Sequence, residues 1–142
     1  MKKKKIIRIP DSEPDLTIIG ISSHEKGFTL SWALNRYLGW TLSKGPDLVK
    51  QSGKEDEMRF PVFRFPDNLH HRNYFLIQNR TSEGFLYPAH ATTTDFLLVV
   101  PESLSEKETN ALLSQLKNIM GIQTAFVIPP ETLPDSSQLI PE

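Results

Sequence analysis

The feature that most constrains this chain is an apolar strand segment joined directly to an amphipathic helical segment. Residues 16–21 are apolar nearly throughout, which indicates a well-buried strand. In residues 27–38 the apolar side chains instead recur every three or four positions and stop at Gly39, as in an amphipathic helix that ends at a glycine. A helix of this kind must cover a sheet, so the pattern favours a layered fold.

A second unit of the same kind lies near the other end of the chain. Residues 96–100 predict an apolar strand, and Ser105 with Glu108 has the spacing of a helical capping box. The helix is predicted to end at Gly121, and residues 122–128 follow as another strand. The apolar stripe of this helix consists of Leu112, Leu113, Leu116, Ile119 and Met120.

The middle of the chain predicts strands with polar breaks between them. Residues 60–65 and 74–78 are typical of two neighbouring strands, joined as a hairpin with a mobile tip. Residues 40–43 predict a short strand after the first helix, and residues 5–9 are β-prone. The polar residues 51–57 predict an exposed loop.

These elements predict an α+β fold. We expect a two-layer sandwich, with a mostly antiparallel sheet and two helices on one face, in the style of ferredoxin-like domains. The chain has 142 residues, the usual size of one domain, and we assign residues 1–128 to it. Residues 129–142 contain several prolines among Ser, Asp and Glu, and they are predicted to be a flexible C-terminal tail.

Composition removes several classes of function. Sixteen Lys and Arg against 17 Asp and Glu give a formal net charge of -1, so no overall field draws the chain to nucleic acid or anionic lipid. The absence of Cys excludes a disulfide framework, a thiolate zinc site and a thiol nucleophile. The basic residues 2–5 precede too short an apolar stretch for a secretory signal, and no apolar run is long enough to span a bilayer. We therefore predict a cytoplasmic protein without a membrane partner.

Several segments together resemble the bacterial IPExxxVDY family, best known from Bacteroidota. The resemblance lies in residues 16–23, 28–39, 74–79, 95–98 and 105–128, which is nearly the whole chain apart from the tail. Tyr87, Pro88 and Ala89 stand where Ile-Pro-Glu is expected, so the motif glutamate is missing, and Asp95 lies one residue farther from the proline than in the pattern. The family has no assigned activity. The resemblance therefore implies a shared fold and carries over no catalytic residue.

Motifs of catalysis and cofactor binding are not found in the sequence. The seven glycines do not form a phosphate-binding loop, and no GxSxG nucleophile motif occurs. The histidines are His24, His70, His71 and His90, and the adjacent pair would point apart on an extended strand. We predict no catalytic residue, no metal site and no cofactor.

Four residues are candidates for binding a small ligand between the sheet and the first helix. Trp32 and Tyr37 would line such a pocket. Asn35 is a mediocre helix former without a local need in its helix, so it would bond a neighbouring strand or a ligand. Asp95 precedes a buried strand, where it would be partly desolvated or would cap a turn.

Two functions follow from these patterns. The first is a non-enzymatic interaction or regulatory domain, since the apolar residues are used in core elements and no catalytic group stands out. We expect it to form a homodimer through residues 60–78, because aromatic side chains alternate to both sides of that strand while two helices cover only one face of the sheet. The alternative is a small-molecule-binding domain or modest enzyme that uses the four candidate residues.

Overall fold

In the computed structural model, residues 15–52, 56–90 and 93–140 are described. The two α-helices are α1 (Gly27–Leu38) and α2 (Glu106–Lys117). Short 3-10 helices lie at Pro88–His90, Pro130–Thr132 and Ser136–Leu139. The strands are β1 (Thr17–Ser23), β2 (Ser43–Lys44), β3 (Leu48–Ser52), β4 (Asp56–Phe60), β5 (Val62–Asp67), β6 (Arg72–Gln78), β7 (Arg80–Thr81), β8 (Gly84–Phe85), β9 (Phe96–Val100) and β10 (Ile122–Ile128).

Six strands form the main sheet, in the order β10-β1-β9-β6-β5-β2. Every neighbouring pair in this sheet is antiparallel. The pairs β3–β4 and β7–β8 are separate two-stranded hairpins. The predicted α+β class and the mostly antiparallel sheet are therefore confirmed. The strand predicted at residues 5–9 lies outside the described residues.

Both helices cover the same face of the sheet, as predicted. Because side chains alternate along a strand, Ile19 and Ile21 of β1 point to this face. They share one core cluster with Leu30 and Leu34 of α1 and with Leu112 and Leu116 of α2.

Both ends of α1 and the start of α2 follow the sequence signals, whereas α2 ends at Lys117 and not at the predicted Gly121. Gly39 has the left-handed φ of 71° that favours glycine, and its N–H donates to the Asn35 carbonyl at 3.0 Å. At the start of α2, the Ser105 hydroxyl accepts the Glu108 N–H at 3.1 Å, and the Glu108 carboxylate accepts the Ser105 N–H at 3.3 Å. Met120 differs from the prediction, since it follows the end of α2 and its side chain is exposed.

The other face of the sheet is covered by the chain itself. Its core cluster joins sheet residues such as Ile18 and Phe75 to Phe60 at the end of β4 and to Leu133 and Leu139 beyond β10. The expectation that residues 60–78 leave this face open to a second copy is therefore corrected. Phe63 and Phe65 point instead to the helix side.

The hairpin β3–β4 replaces the exposed loop predicted at residues 51–57, of which residues 53–55 lie outside the described part. Leu48 lies opposite Phe60 and Lys50 opposite Met58, so one face of the hairpin packs on the sheet. The Lys50 ammonium donates to the Leu86 carbonyl at 2.9 Å. Polar side chains on the other face of the hairpin hide this strand pattern in the sequence. Pro61, which has no N–H for a ladder, then divides the strand predicted at residues 60–65.

Residues 129–140 are packed, which differs from the flexible tail predicted from their composition. Leu133 and Leu139 are both buried in the second core cluster. The Tyr87 hydroxyl also donates to the Pro134 carbonyl at 3.0 Å. Prolines and acids suggest disorder, yet two well-placed leucines are enough to hold the segment against the sheet. Residues 141–142 lie outside the described part.

Candidate functional site

Helix α1 presents large aromatic side chains to solvent. One side of the helix, including Leu30 and Leu34, is buried against the sheet. On the rest of the helix, Phe28 is 70% exposed, Trp32 62% and Tyr37 58%. Single exposed apolar residues are ordinary, but several large aromatics on one short helix mark a candidate contact surface.

Three residues of α1 form a continuous row, which we call the aromatic ridge: Phe28, Trp32 and Arg36. They are spaced four residues apart and therefore lie one above the other on the helix surface. The Arg36 guanidinium carbon lies 5.6 Å from the centre of the Trp32 ring, within the range of a cation–π contact. The Phe28 ring packs edge to face on Phe63 of β5, with 5.3 Å between the ring centres. The contact with Phe63 positions Phe28 at one end of the ridge, and the contact with Trp32 positions Arg36 at the other end.

Tyr37 does not belong to the ridge. It follows Trp32 by five residues, which at 3.6 residues per turn places it about 140° farther around the helix. Trp32 and Tyr37 were predicted to line one pocket, but they extend from different flanks of α1 into solvent.

The Asn35 side chain is used by the backbone that follows α1. Its amide nitrogen donates to the Leu42 carbonyl at 3.1 Å, and its amide oxygen accepts the Leu42 N–H at 2.7 Å. Asn35 was expected to bond a neighbouring strand or a ligand; it bonds the backbone of Leu42, which directly precedes β2. The side chain fixes the chain as it leaves the helix and enters the sheet.

Asp95 holds the ends of two strands together. Its carboxylate accepts the Ser23 N–H at 2.7 Å and forms an ion pair with Arg80. Its own N–H donates to the Ile21 carbonyl at 2.8 Å. The side chain is buried, and its contacts join β1 to the start of β9.

Asn79 completes this polar group, and the sequence interpretation missed it. The residue is fully buried, its amide nitrogen donates to the Thr94 carbonyl at 2.8 Å, and its amide oxygen accepts the Tyr87 N–H at 2.8 Å. A sequence signal did exist, because Asn79 follows directly on the apolar strand β6. Since these groups satisfy one another, the cluster explains how Asn79, Tyr87 and Asp95 are held together rather than how a ligand is bound.

The four predicted ligand residues thus do not converge. The space between the sheet and α1 is filled by side chains of the first core cluster, among them Leu30, Leu34, Phe63 and Leu76. An open depression of about 470 Å³ lies elsewhere, at the β10 edge, and is lined by Ser22, Thr93, Thr124 and Phe126. None of these four described side chains is charged.

The histidines do not assemble into a site either. His70 Nδ1 lies 2.7 Å from the Asp67 carboxylate in an exposed turn, and His24 and His71 are exposed. Burial acts to raise the pKa of the Asp67 carboxyl, but the hydrogen bonds and the charge of His70 outweigh it and lower the pKa. Within residues 15–52, 56–90 and 93–140, no three His, Asp or Glu side chains are grouped as metal ligands. The same residues include no helix long and apolar enough to cross a bilayer.

Comparison with known proteins adds no relative. No model of a known protein family matches the chain. A search of curated proteins also finds no match.

Proposed function

We propose that the chain is a non-enzymatic interaction domain that binds another polypeptide through the aromatic ridge of α1. The observation that carries this proposal is the exposure of Phe28 and Trp32 on a helix whose opposite side already fills the core. Covering the exposed parts of both rings would remove roughly 250 Å² of apolar surface from water. At about 25 cal/mol per Å² this is a gross gain of roughly 6 kcal/mol, which offsets part of the entropic cost of association.

The ridge also indicates the chemistry of its partner. Arg36 is stacked on Trp32, and it takes part in none of the ion pairs between described residues. Trp and Arg are the residue types most enriched where binding energy is concentrated in protein interfaces. We expect the partner to place an apolar side chain over the two rings and a carboxylate beside the guanidinium.

The alternative, a small-molecule-binding domain or modest enzyme, has less support. Asn35 and Asp95 are engaged with the chain's own backbone, and the region between α1 and the sheet is filled. A cytoplasmic location and homodimer formation remain predictions.

Selection of short peptides from a random display library tests the proposal, because it requires no candidate partner. The wild-type chain is the bait, and Trp32→Ala is the bait in a parallel counter-selection. Peptides retained only by the wild type should share an apolar residue next to Asp or Glu. If every enriched peptide binds both baits equally, the ridge is not the binding surface and the proposal fails.

A further inference from the structure

Strand β10 forms one edge of the main sheet. Its only neighbour among the described strands is β1. The strand has seven residues, and its sequence IQTAFVI contains neither a charged residue nor a proline. Proteins usually protect a sheet edge with Lys, Pro or a covering segment, because an unprotected edge is a template for another strand.

The direction of the backbone groups can be read from the neighbouring strand. The Asp95 N–H donates to the Ile21 carbonyl, so the backbone groups of Ile21 point towards β9. In an antiparallel ladder, residues opposite each other either bond one another or both point away. Ala125, opposite Ile21, and Val127, opposite Ile19, therefore direct their N–H and C=O groups away from β1, to the outside of the sheet.

Apolar side chains accompany these backbone groups at the edge. Val127 is 46% exposed, and Met120, two residues before β10, is 84% exposed. Phe126 is only half-buried, and its ring lies over Gly20 of β1, where an added Cβ would be 2.8 Å from the ring. The edge thus offers both hydrogen-bonding groups and apolar surface.

We infer that β10 pairs antiparallel with β10 of a second copy, so that two sheets join into one across a two-fold axis. In a register centred on Phe126, the outward groups of Ala125 and Val127 bond those of Val127 and Ala125 in the copy. The two Phe126 backbones then lie opposite each other at the axis, and each exposed Val127 packs beside a small Ala125. The match of one strand with itself is what an isologous dimer requires.

Charge on the covering helix favours a second copy over an unrelated strand. Helix α2 packs on β10; its first turn contains Glu106, Lys107 and Glu108, which together carry a net negative charge, and its last turn has the basic Lys117. Across a two-fold axis the two α2 helices run in opposite directions. The acidic end of each then faces the basic end of the other, which is a favourable arrangement for charges and helix dipoles.

This surface is separate from the aromatic ridge, so the dimer goes beyond the proposed function. Phe28 packs on Phe63 of β5, near the opposite edge of the six-stranded sheet from β10. The two surfaces can therefore be altered independently.

Sedimentation equilibrium of the full chain measures the fraction of dimer. Val127→Lys is the test variant, because a lysine on an edge strand prevents pairing with another strand. We expect the wild type to be a dimer at about 100 micromolar. Val127→Lys should be a monomer that still unfolds cooperatively on heating, while Trp32→Ala stays dimeric. A wild type that is monomeric at this concentration overturns the inference, and so does a Val127→Lys variant that dimerises as well as the wild type.

Cysteine cross-linking gives a second measurement, because the chain contains no Cys. In the Phe126-centred register the two Phe126→Cys side chains face each other at a non-hydrogen-bonded pair, close enough for a disulfide. Mild oxidation should convert most of this variant to a covalent dimer, whereas Thr29→Cys on exposed α1 should remain largely monomeric. Equal cross-linking of both variants contradicts pairing at β10.

Discussion

The Asn35 side chain makes two hydrogen bonds with the backbone of one residue, Leu42, at 3.1 and 2.7 Å. Asn35→Ala would leave both backbone groups of this buried residue without a partner, so we expect a loss of about 1–3 kcal/mol in the free energy of unfolding. Urea titration measures it. Asn35→Ala should not change binding at the aromatic ridge. A loss below about 0.5 kcal/mol would mean that water replaces the side chain without cost.

Leu116 tests the packing of α2 on the sheet. Its side chain is fully buried in the first core cluster. Leu116→Ala should reduce the free energy of unfolding by roughly 2–5 kcal/mol, because it removes buried methyl groups and leaves a cavity. Ser114→Ala, on the exposed side of the same helix, is the matched control and should change stability by less than about 0.5 kcal/mol.

Removal of the chain after Pro130 tests whether the C-terminal segment is part of the fold. The truncation takes away Leu133 and Leu139, which are buried against the second face of the sheet. We expect the melting temperature to fall by more than about 10 °C, since each buried leucine contributes on the order of 2 kcal/mol or more. An unchanged melting temperature would show that this segment does not stabilise the domain.

The raised pKa of Tyr87 predicts that the free energy of unfolding falls at alkaline pH. Burial, followed by the charge of Asp135, raises the pKa of Tyr87 from 10.0 to about 12 in the folded chain. The unfolded chain therefore loses this proton first, and its ionisation favours unfolding. The contribution of Tyr87 is complete below about pH 10 and is lost as the pH rises from about 10 to 12. Denaturant titrations across this range should show a smaller decline for Tyr87→Phe than for the wild type, and equal declines would contradict the assignment.

Strongly periodic segments could be predicted from the sequence with their boundaries. The stripe at residues 27–38 and Gly39 predicted α1, the apolar run at residues 96–100 predicted β9, and the segment after Gly121 predicted β10, each at the residues observed. In each case a single pattern of burial determines both the type of element and its ends. The capping box at Ser105 gave the start of α2 for the same reason.

The covering of the second face could not be predicted, because it depends on sparse apolar residues. Leu48, Met58 and Phe60 are separated by polar side chains that face solvent in the hairpin, and Leu133 and Leu139 lie among prolines. Only the three-dimensional sheet provides the surface that makes these few contacts favourable.

Of the four ligand-binding candidates singled out from the sequence, Asn35 and Asp95 bond groups of the chain itself in the structure, whereas Trp32 and Tyr37 are exposed. The exposure of Trp32 could not be predicted. The apolar stripe of α1 shows which side of the helix is buried, but the burial of residues beside the stripe depends on how the helix lies on the sheet. Phe28, which lies beside it on the ridge, was missed for the same reason.

The affinity of a peptide selected on the wild type tests the aromatic ridge most directly. Its Kd is measured by fluorescence anisotropy for the wild type, for Trp32→Ala and for Tyr37→Ala, the last being a control with similar exposure on the other flank of α1. We predict that Trp32→Ala weakens binding by about 30-fold, equivalent to roughly 2 kcal/mol, while Tyr37→Ala changes the Kd by less than about twofold. A Kd that Trp32→Ala leaves unchanged, or that only Tyr37→Ala raises, would contradict the proposal that the ridge is the binding surface.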